Sequence, residues 1–437
     1  MLSRIFHFVN HSVLALLPTA GFSYQLAAKK LEAGPTLRAL QKMVDDLGDG
    51  QWPPVADHSG WPEVHMPYHD LAMRTGPRLT VTPDQVSTDD VVNAERIGSF
   101  RKWMEEELTC IEMDGVEEAI SQMQLRQKYA MAACLGFLRH AYRWGTVPIV
   151  KLAQDEEHVD FPDAIEGPYT LIREYLTLHC ESGCMYTLFY CNMDPKTEQL
   201  VYSTTRNQMK EIQETERWNV LLLYKIEQLA IDRVYTNLAR ACDAATKGDI
   251  RQVIRLLHLV NEGTKPAYRF IFNNLKEHNV SSKWWLPYGQ GFYGWTLHNR
   301  DGISGNQTLF IRVMDSLLNL PTNEGKAFAD KAGTEHVPDA DWNFVSAIRA
   351  ANLRQYADKY PELDAEIQEA VKQLRLWRMA HIPKARKYES APAPERKMMT
   401  AGNSLITEVK FGTPTETISQ MAQMFVARLQ RRLEQTR

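Results

Sequence analysis

TERWNVLLLYKIEQLAIDRVYTNLARACDAATKGD, residues 215–249, decides the fold. Apolar residues recur there at three- and four-residue steps, which predicts one long amphipathic helix ending near Gly248. The same periodicity continues on both sides. IRQVIRLLHLVNEG reads as a helix ending at Gly263, and QTLFIRVMDSLLNLP, WNFVSAIRAANLRQYADKY and ELDAEIQEAVKQLRLWRMAHI follow as helices. TETISQMAQMFVARLQRRLEQT closes the chain as another. Between the last two lies ESAPAPERKMMTAGNS, whose Pro, Ala, Gly and Ser content predicts a mobile loop over 390–404.

Toward the N-terminus, helical spacing returns in VVNAERIGSFRKWMEEELTCIEM and AISQMQLRQKYAMAACLGFLRHAYRW. Residues 1–100 read as irregular up to Thr88, broken by QWPP, SGWPEVHMP and TGPRLTVTP, with LTVT (79–82) the one short strand candidate. Acidic KLAQDEEHVDFPDAIEGP (151–168) reads as a connecting loop and a domain boundary. The expected fold is therefore mainly α: a smaller, more irregular N-terminal domain over 1–165 and a large all-helical bundle over 166–437.

Composition narrows the function classes. The 437 residues carry a formal net charge of −4, and no basic stripe with interleaved aromatics argues for nucleic acid. Six cysteines in so long a chain make no disulfide framework, and Cys180, Cys184 and Cys191 lack zinc-ligand spacing. The opening MLSRIFHFVNHSVLALLPTAGF is interrupted by His7, Asn10 and His11, and no run reaches the ~20 apolar residues of a membrane span. A soluble, cytoplasmic protein with reduced thiols is expected.

No phosphate-binding loop, nucleophile elbow or carboxylate dyad is present. Three places hold candidate chemistry. In LRLWRMAHIPKARKYE (374–389), Arg378 and His381 lie one turn apart on a helix. A histidine facing a helical interior is either a core residue or the axial ligand of a heme, and an arginine one turn away then suits a propionate. SSKWWLPYGQGFYGW (281–295) is the densest aromatic cluster, and its Pro287 and glycines exclude a plain helix throughout. It is either an aromatic core corner or a set of flat walls for a planar ligand. The small-residue loop 302–306 enters a helix bearing Asp315 and presents backbone amides to an anion. Asp155 and His158 in DEEH read as solvated charge rather than a metal site.

Taken in order, WWLPYGQGFYGW, GISGNQTLFIRVMDSLLNL, LRLWRMAHIPKARKY and TAGNSLI resemble the indoleamine 2,3-dioxygenase superfamily of heme-dependent oxygenases, over roughly 210–430. The superfamily includes the pyrrolnitrin-pathway enzyme that rearranges chlorotryptophan. The resemblance implies heme b, with His381 as iron ligand, Arg378 near a propionate, Asp315 in its polar network and Ser304 in the loop over the heme. It places Thr400 in a loop closing over substrate, and Trp284, Trp285 and Tyr186 as stacking walls, with no catalytic residue needed beyond the heme. The implied partners are O2 and a small amino-acid-like or aromatic substrate.

The sequence departs from the family in the Trp284–Trp285 pair, where the family has two phenylalanines, in TAGN where it has TGGT, and at Gly289 and Pro383. Gly289 stands where an arginine grips the substrate carboxylate, which favours a specialised metabolite over plain tryptophan cleavage to N-formylkynurenine. Lys283 and Arg300 are its candidate replacements. Pro383, two residues after His381, predicts a kink or an end to that helix. Ordinary tryptophan 2,3-cleavage and a non-catalytic heme-binding protein are the competing readings.

Overall fold

Two α-helices lie among the described residues before Thr88, where the sequence reads as irregular. The computed structural model describes residues 33–156, 158–179, 183–295, 303, 305–320, 337–389, 423, 426, 427 and 429–437. It places α1 at Pro35–Gly48 and α2 at Met66–Leu79. Each has a proline in its first two positions, where the missing N–H costs nothing. Each buries one stripe, Leu40, Met43, Val44 and Leu47 in α1 and Tyr68, Leu71 and Ala72 in α2. Flanking Trp-Pro and Gly-Trp-Pro turns hide this periodicity in the sequence. LTVT forms no strand: Thr80 makes one isolated parallel bridge to Val147.

Helix α3 (Asp90–Leu108) starts on the Asp89 carboxylate, which accepts from Val91 N at 2.8 Å. After α4 (Val116–Gln122), α5 (Leu125–Trp144) is buried on every side from Tyr129 onward, so it is the central helix of this half. The acidic stretch 151–168 is not a plain loop. It contains α6 (Lys151–Asp155) and the first turn of α7 (Asp163–Tyr175), where Asp163 and Glu166 favour a helix N-terminus. Glu156 of the DEEH stretch pairs with Arg101 at 2.6 Å and Arg143 at 3.5 Å. Strand structure among the described residues amounts to one short antiparallel ribbon, β1 (Met193–Asp194) and β2 (Gln199–Leu200).

The 215–249 stretch is helical almost throughout, as α8 (Lys210–Ala230), a wider π turn (Ile231–Tyr235) and α9 (Thr236–Thr246). Gly248, with φ +72°, ends the run. Helix α10 (Ile250–Asn274), capped by Asp249, packs along both and does not stop at Gly263 as expected. A Cβ on Gly263 would sit 2.7 Å from Arg233 Cβ, so this glycine lets α10 press against the π turn. Pro266 lies inside the helix, and the carbonyl it orphans belongs to exposed Glu262, within reach of water. On its other side α9 holds α1: Asp243 accepts from Thr36 N at 2.8 Å and Leu37 N at 3.0 Å, capping a helix 207 residues earlier.

Further along come α11 (Ser282–Trp284) leading into a π turn (Trp285–Gln290), then α12 (Leu309–Leu317), α13 (Asp339–Ala351) and α14 (Pro361–Glu389). Contrary to the expectation for Pro383, α14 continues six residues past it. The orphaned carbonyl is that of Met379, an exposed residue, so solvent satisfies it. The fold is mainly α. Residues Ala33–Arg437 belong to one compact unit, and no described helix is long and apolar enough to cross a membrane. Cys110, Cys134, Cys184, Cys191 and Cys242 are free thiols, and no three described His, Cys, Asp or Glu residues group as metal ligands.

Candidate functional site

Helix α14 turns one face inward, along Leu374, Arg378, His381, Ala385 and Tyr388, at steps of three and four. His381 is half-buried on this face. Its imidazole stacks on Trp377, one turn earlier, with ring centroids 5.1 Å apart and planes 6° apart. Desolvation, helped by nearby Lys384, lowers its pKa to about 4, so the ring is neutral at physiological pH. It has no hydrogen-bond partner among the described residues.

The aromatic contacts continue inward. Trp377 faces Tyr268 of α10 at 6.2 Å, and Tyr268 meets Phe310 of α12 edge-on at 5.2 Å. Trp377 Nε1 and the Tyr268 hydroxyl are both buried without a partner in the described structure. Desolvation raises the Tyr268 hydroxyl well above its usual range.

Arg378 is bound on three sides. It donates to Asp315 Oδ1 of α12 at 2.6 Å, to Arg432 O at 3.1 Å and to the Thr436 hydroxyl. Arg432 pairs with the second oxygen of Asp315. One carboxylate thus joins α12, α14 and the C-terminal segment, in a site where charge-assisted bonds are strong.

Behind Phe310 lies a second polar cluster. Its backbone N donates to Glu227 Oε1 of α8 at 3.1 Å. Glu227, with no exposed surface, also accepts from Tyr235 at 2.7 Å, Trp52 Nε1 at 3.0 Å and Tyr190 at 3.4 Å. Burial pushes its pKa up to about 7, against the lowering effect of these bonds, and neighbouring Asp341 adds to the rise. Asp341 itself binds Arg312 and the Tyr186 hydroxyl.

The structure therefore brings His381, Arg378 and Asp315 to one region between α10, α12 and α14. Trp285 borders the far end of the same α14 face: its ring meets Tyr388 at 5.6 Å while its Nε1 donates to Asn219 at 2.8 Å. Trp284 lies further out, bonded to Glu211 at 3.2 Å with Lys283 over its ring at 4.1 Å. Tyr186 is fully buried and committed to Asp341. Gly289 is buried, and a Cβ there would lie 3.3 Å from Thr215 and 3.5 Å from Trp285. Ser304, Thr400 and Arg300 lie outside the described residues.

Sequence reading passed over Trp377, Tyr268, Arg432 and Glu227. Two of them leave a signal. Trp377 stands four residues before His381, and Glu227 falls on the apolar stripe of α8 between Leu223 and Ala230. No family model matches the chain, and no curated protein sequence matches it.

Proposed function

We propose that this chain is a heme-dependent oxygenase resembling the indoleamine 2,3-dioxygenase superfamily, with His381 as the iron ligand. One observation carries the reading: a neutral imidazole with no hydrogen-bond partner among the described residues, fixed in plane by Trp377, on the helical face it shares with a tethered arginine. A metal ligand needs that free lone pair. Trp377 Nε1 and the Tyr268 hydroxyl, without partners among the described residues, are two further donors beside the same face.

Heme bound there would supply the redox chemistry of O2 activation. The chain's own residues do the rest. His381 presents its ring nitrogen, and stacking on Trp377 limits its rotation. Asp315 holds Arg378 and Arg432 together and sets the position of α14 against α12. Trp285 and Trp284 offer flat faces to an aromatic substrate, the first held in place by Asn219. Gly289 leaves no guanidinium for a carboxylate, and Thr215 and Trp285 crowd the space a side chain would take. Tryptophan is accordingly expected to be a poor substrate beside an aromatic metabolite held chiefly by stacking.

The test is heme reconstitution of the full chain and of His381→Ala, compared by Soret absorbance, with far-UV circular dichroism to show that the variant folds. The expected result is a Soret band in the wild type and loss of tight heme binding in the folded variant. A folded His381→Ala protein with full heme and an unshifted Soret maximum would overturn the assignment.

A further inference from the structure

A cleft of about 430 Å³ opens between α2, α3 and the turn after α5, a volume that suits a small molecule. One wall is a face of α3, with Val92, Arg96, Ser99 and Trp103 at helical steps. The other is the end of α2, with Arg78 and Leu79; Phe100 and Thr146 lie at the base, both buried.

The arginines of these two helices divide into two kinds. Arg74 grips Glu107 with two bonds of 2.7 and 2.8 Å, and Arg101 grips Glu156 with two of 2.8 and 2.6 Å. Arg78 and Arg96, one or two turns away, have neither a hydrogen bond nor an ion pair among the described residues, and both line the cleft. Arg78 rests over the Trp103 ring at 4.6 Å from its centroid. Trp103 is itself fixed, since its Nε1 donates to Glu107 at 3.0 Å. Glu107 has its carboxylate held low in pKa, first by the bond from Arg74 and least by the charge of Arg78. Its oxygens are taken, so it attracts Arg78 only at a distance. Glu95 also lines the cleft and forms no ion pair with either arginine.

We infer that this cleft binds a small monocarboxylate with a flat apolar body, whose carboxylate is received by Arg78 and Arg96. Two guanidinium forks less one rim carboxylate leave a single net positive charge, which matches a monoanion. The apolar body rests on Leu79, Phe100 and Val92, three of the apolar residues that line the cleft. Trp103 holds the Arg78 plane in position before the ligand arrives, so little side-chain order is lost on binding. The site involves none of the residues around His381.

Isothermal titration of the full chain with 2-naphthoate, neutral 2-naphthamide and inorganic phosphate tests this. Saturable naphthoate binding is expected, with naphthamide and phosphate each at least about tenfold weaker. Arg78→Gln and Arg96→Gln should each weaken naphthoate by about tenfold or more, because a charged hydrogen bond is lost; Arg78 is exposed and Arg96 half-buried, and neither is a core position. Glu95→Gln should bind as well or better. Absence of saturable naphthoate binding up to millimolar concentrations would overturn the inference. So would equal binding of naphthamide, equal binding of phosphate, or binding indifferent to both arginine substitutions.

Discussion

Replacing Glu227 by glutamine isolates the cost of keeping an acid where no water reaches. In the folded chain its pKa rises from the ordinary 4.5 to about 7 because burial disfavours the charge more than four donors favour it. An acid raised in this way is stabilising while both states are protonated. Between pH 4.5 and 7 the unfolded chain releases the proton and the folded chain keeps it, so stability falls as pH rises. At ~1.4 kcal/mol per tenfold in proton affinity, the loss amounts to about 3 kcal/mol by pH 7.5. Glu227→Gln escapes that loss and meets another. Oε2 accepts from Trp52 Nε1 and Tyr235, and Oε1 from Phe310 N and Tyr190. An amide nitrogen on either side therefore faces at least one donor that cannot turn around or must surrender a bond, for roughly 1–3 kcal/mol. The variant should be the less stable protein at pH 4.5, and the gap should close or reverse by pH 8. Urea unfolding of both proteins across that range, followed by circular dichroism, measures the gap. A difference constant to within ~0.5 kcal/mol from pH 4.5 to 8 would refute the reasoning, whatever its size.

Two further substitutions probe the packing. Gly263→Ala gains about 1 kcal/mol of helix propensity, but its methyl would lie 2.7 Å from Arg233 Cβ and 3.1 Å from that residue's backbone. Overpacking of roughly 1–3 kcal/mol should win, so its thermal midpoint should fall; a rise would show that the π turn yields. His65 is fully buried, both ring nitrogens lack partners in the described structure, and burial lowers its pKa to about 4. Below pH 6.5 the unfolded chain takes up a proton that the folded one refuses, so stability is lost as pH falls toward 4. His65→Leu should match the wild type at pH 7 and exceed it at pH 5 in a thermal melt; an equal loss in both proteins would exclude His65 as the source.

Periodicity made the helices legible where nothing interrupts it, and misled where a proline or glycine stands inside one. Gly263 looked like a stop because a glycine commonly ends a helix; its purpose here, close approach to Arg233, depends on a partner 30 residues away. Pro266 and Pro383 sit in intact helices because the carbonyls they orphan belong to exposed Glu262 and Met379, and exposure is not written in the local sequence. At the candidate site, the pairing of His381 with Trp377 follows from four-residue spacing. The bond from Arg378 to Asp315 spans 63 residues and was accessible only through the resemblance. Glu227 was legible in principle, as a charge on an apolar stripe. Its partners, drawn from Trp52 to Phe310, were not.

The capping of α1 by Asp243 also has a consequence during synthesis. The amides of Thr36 and Leu37 leave the ribosome 207 and 206 residues before the carboxylate that receives them. At roughly 5–20 residues per second, that is a wait of about 10–40 s. Throughout it, the apolar stripe of Leu40, Met43, Val44 and Leu47 has neither its final neighbours nor a fixed helical start. The nascent chain is then most open to chaperones and to association with its own copies, and the exposure outlasts the emergence of α9, because α13 also packs on α1.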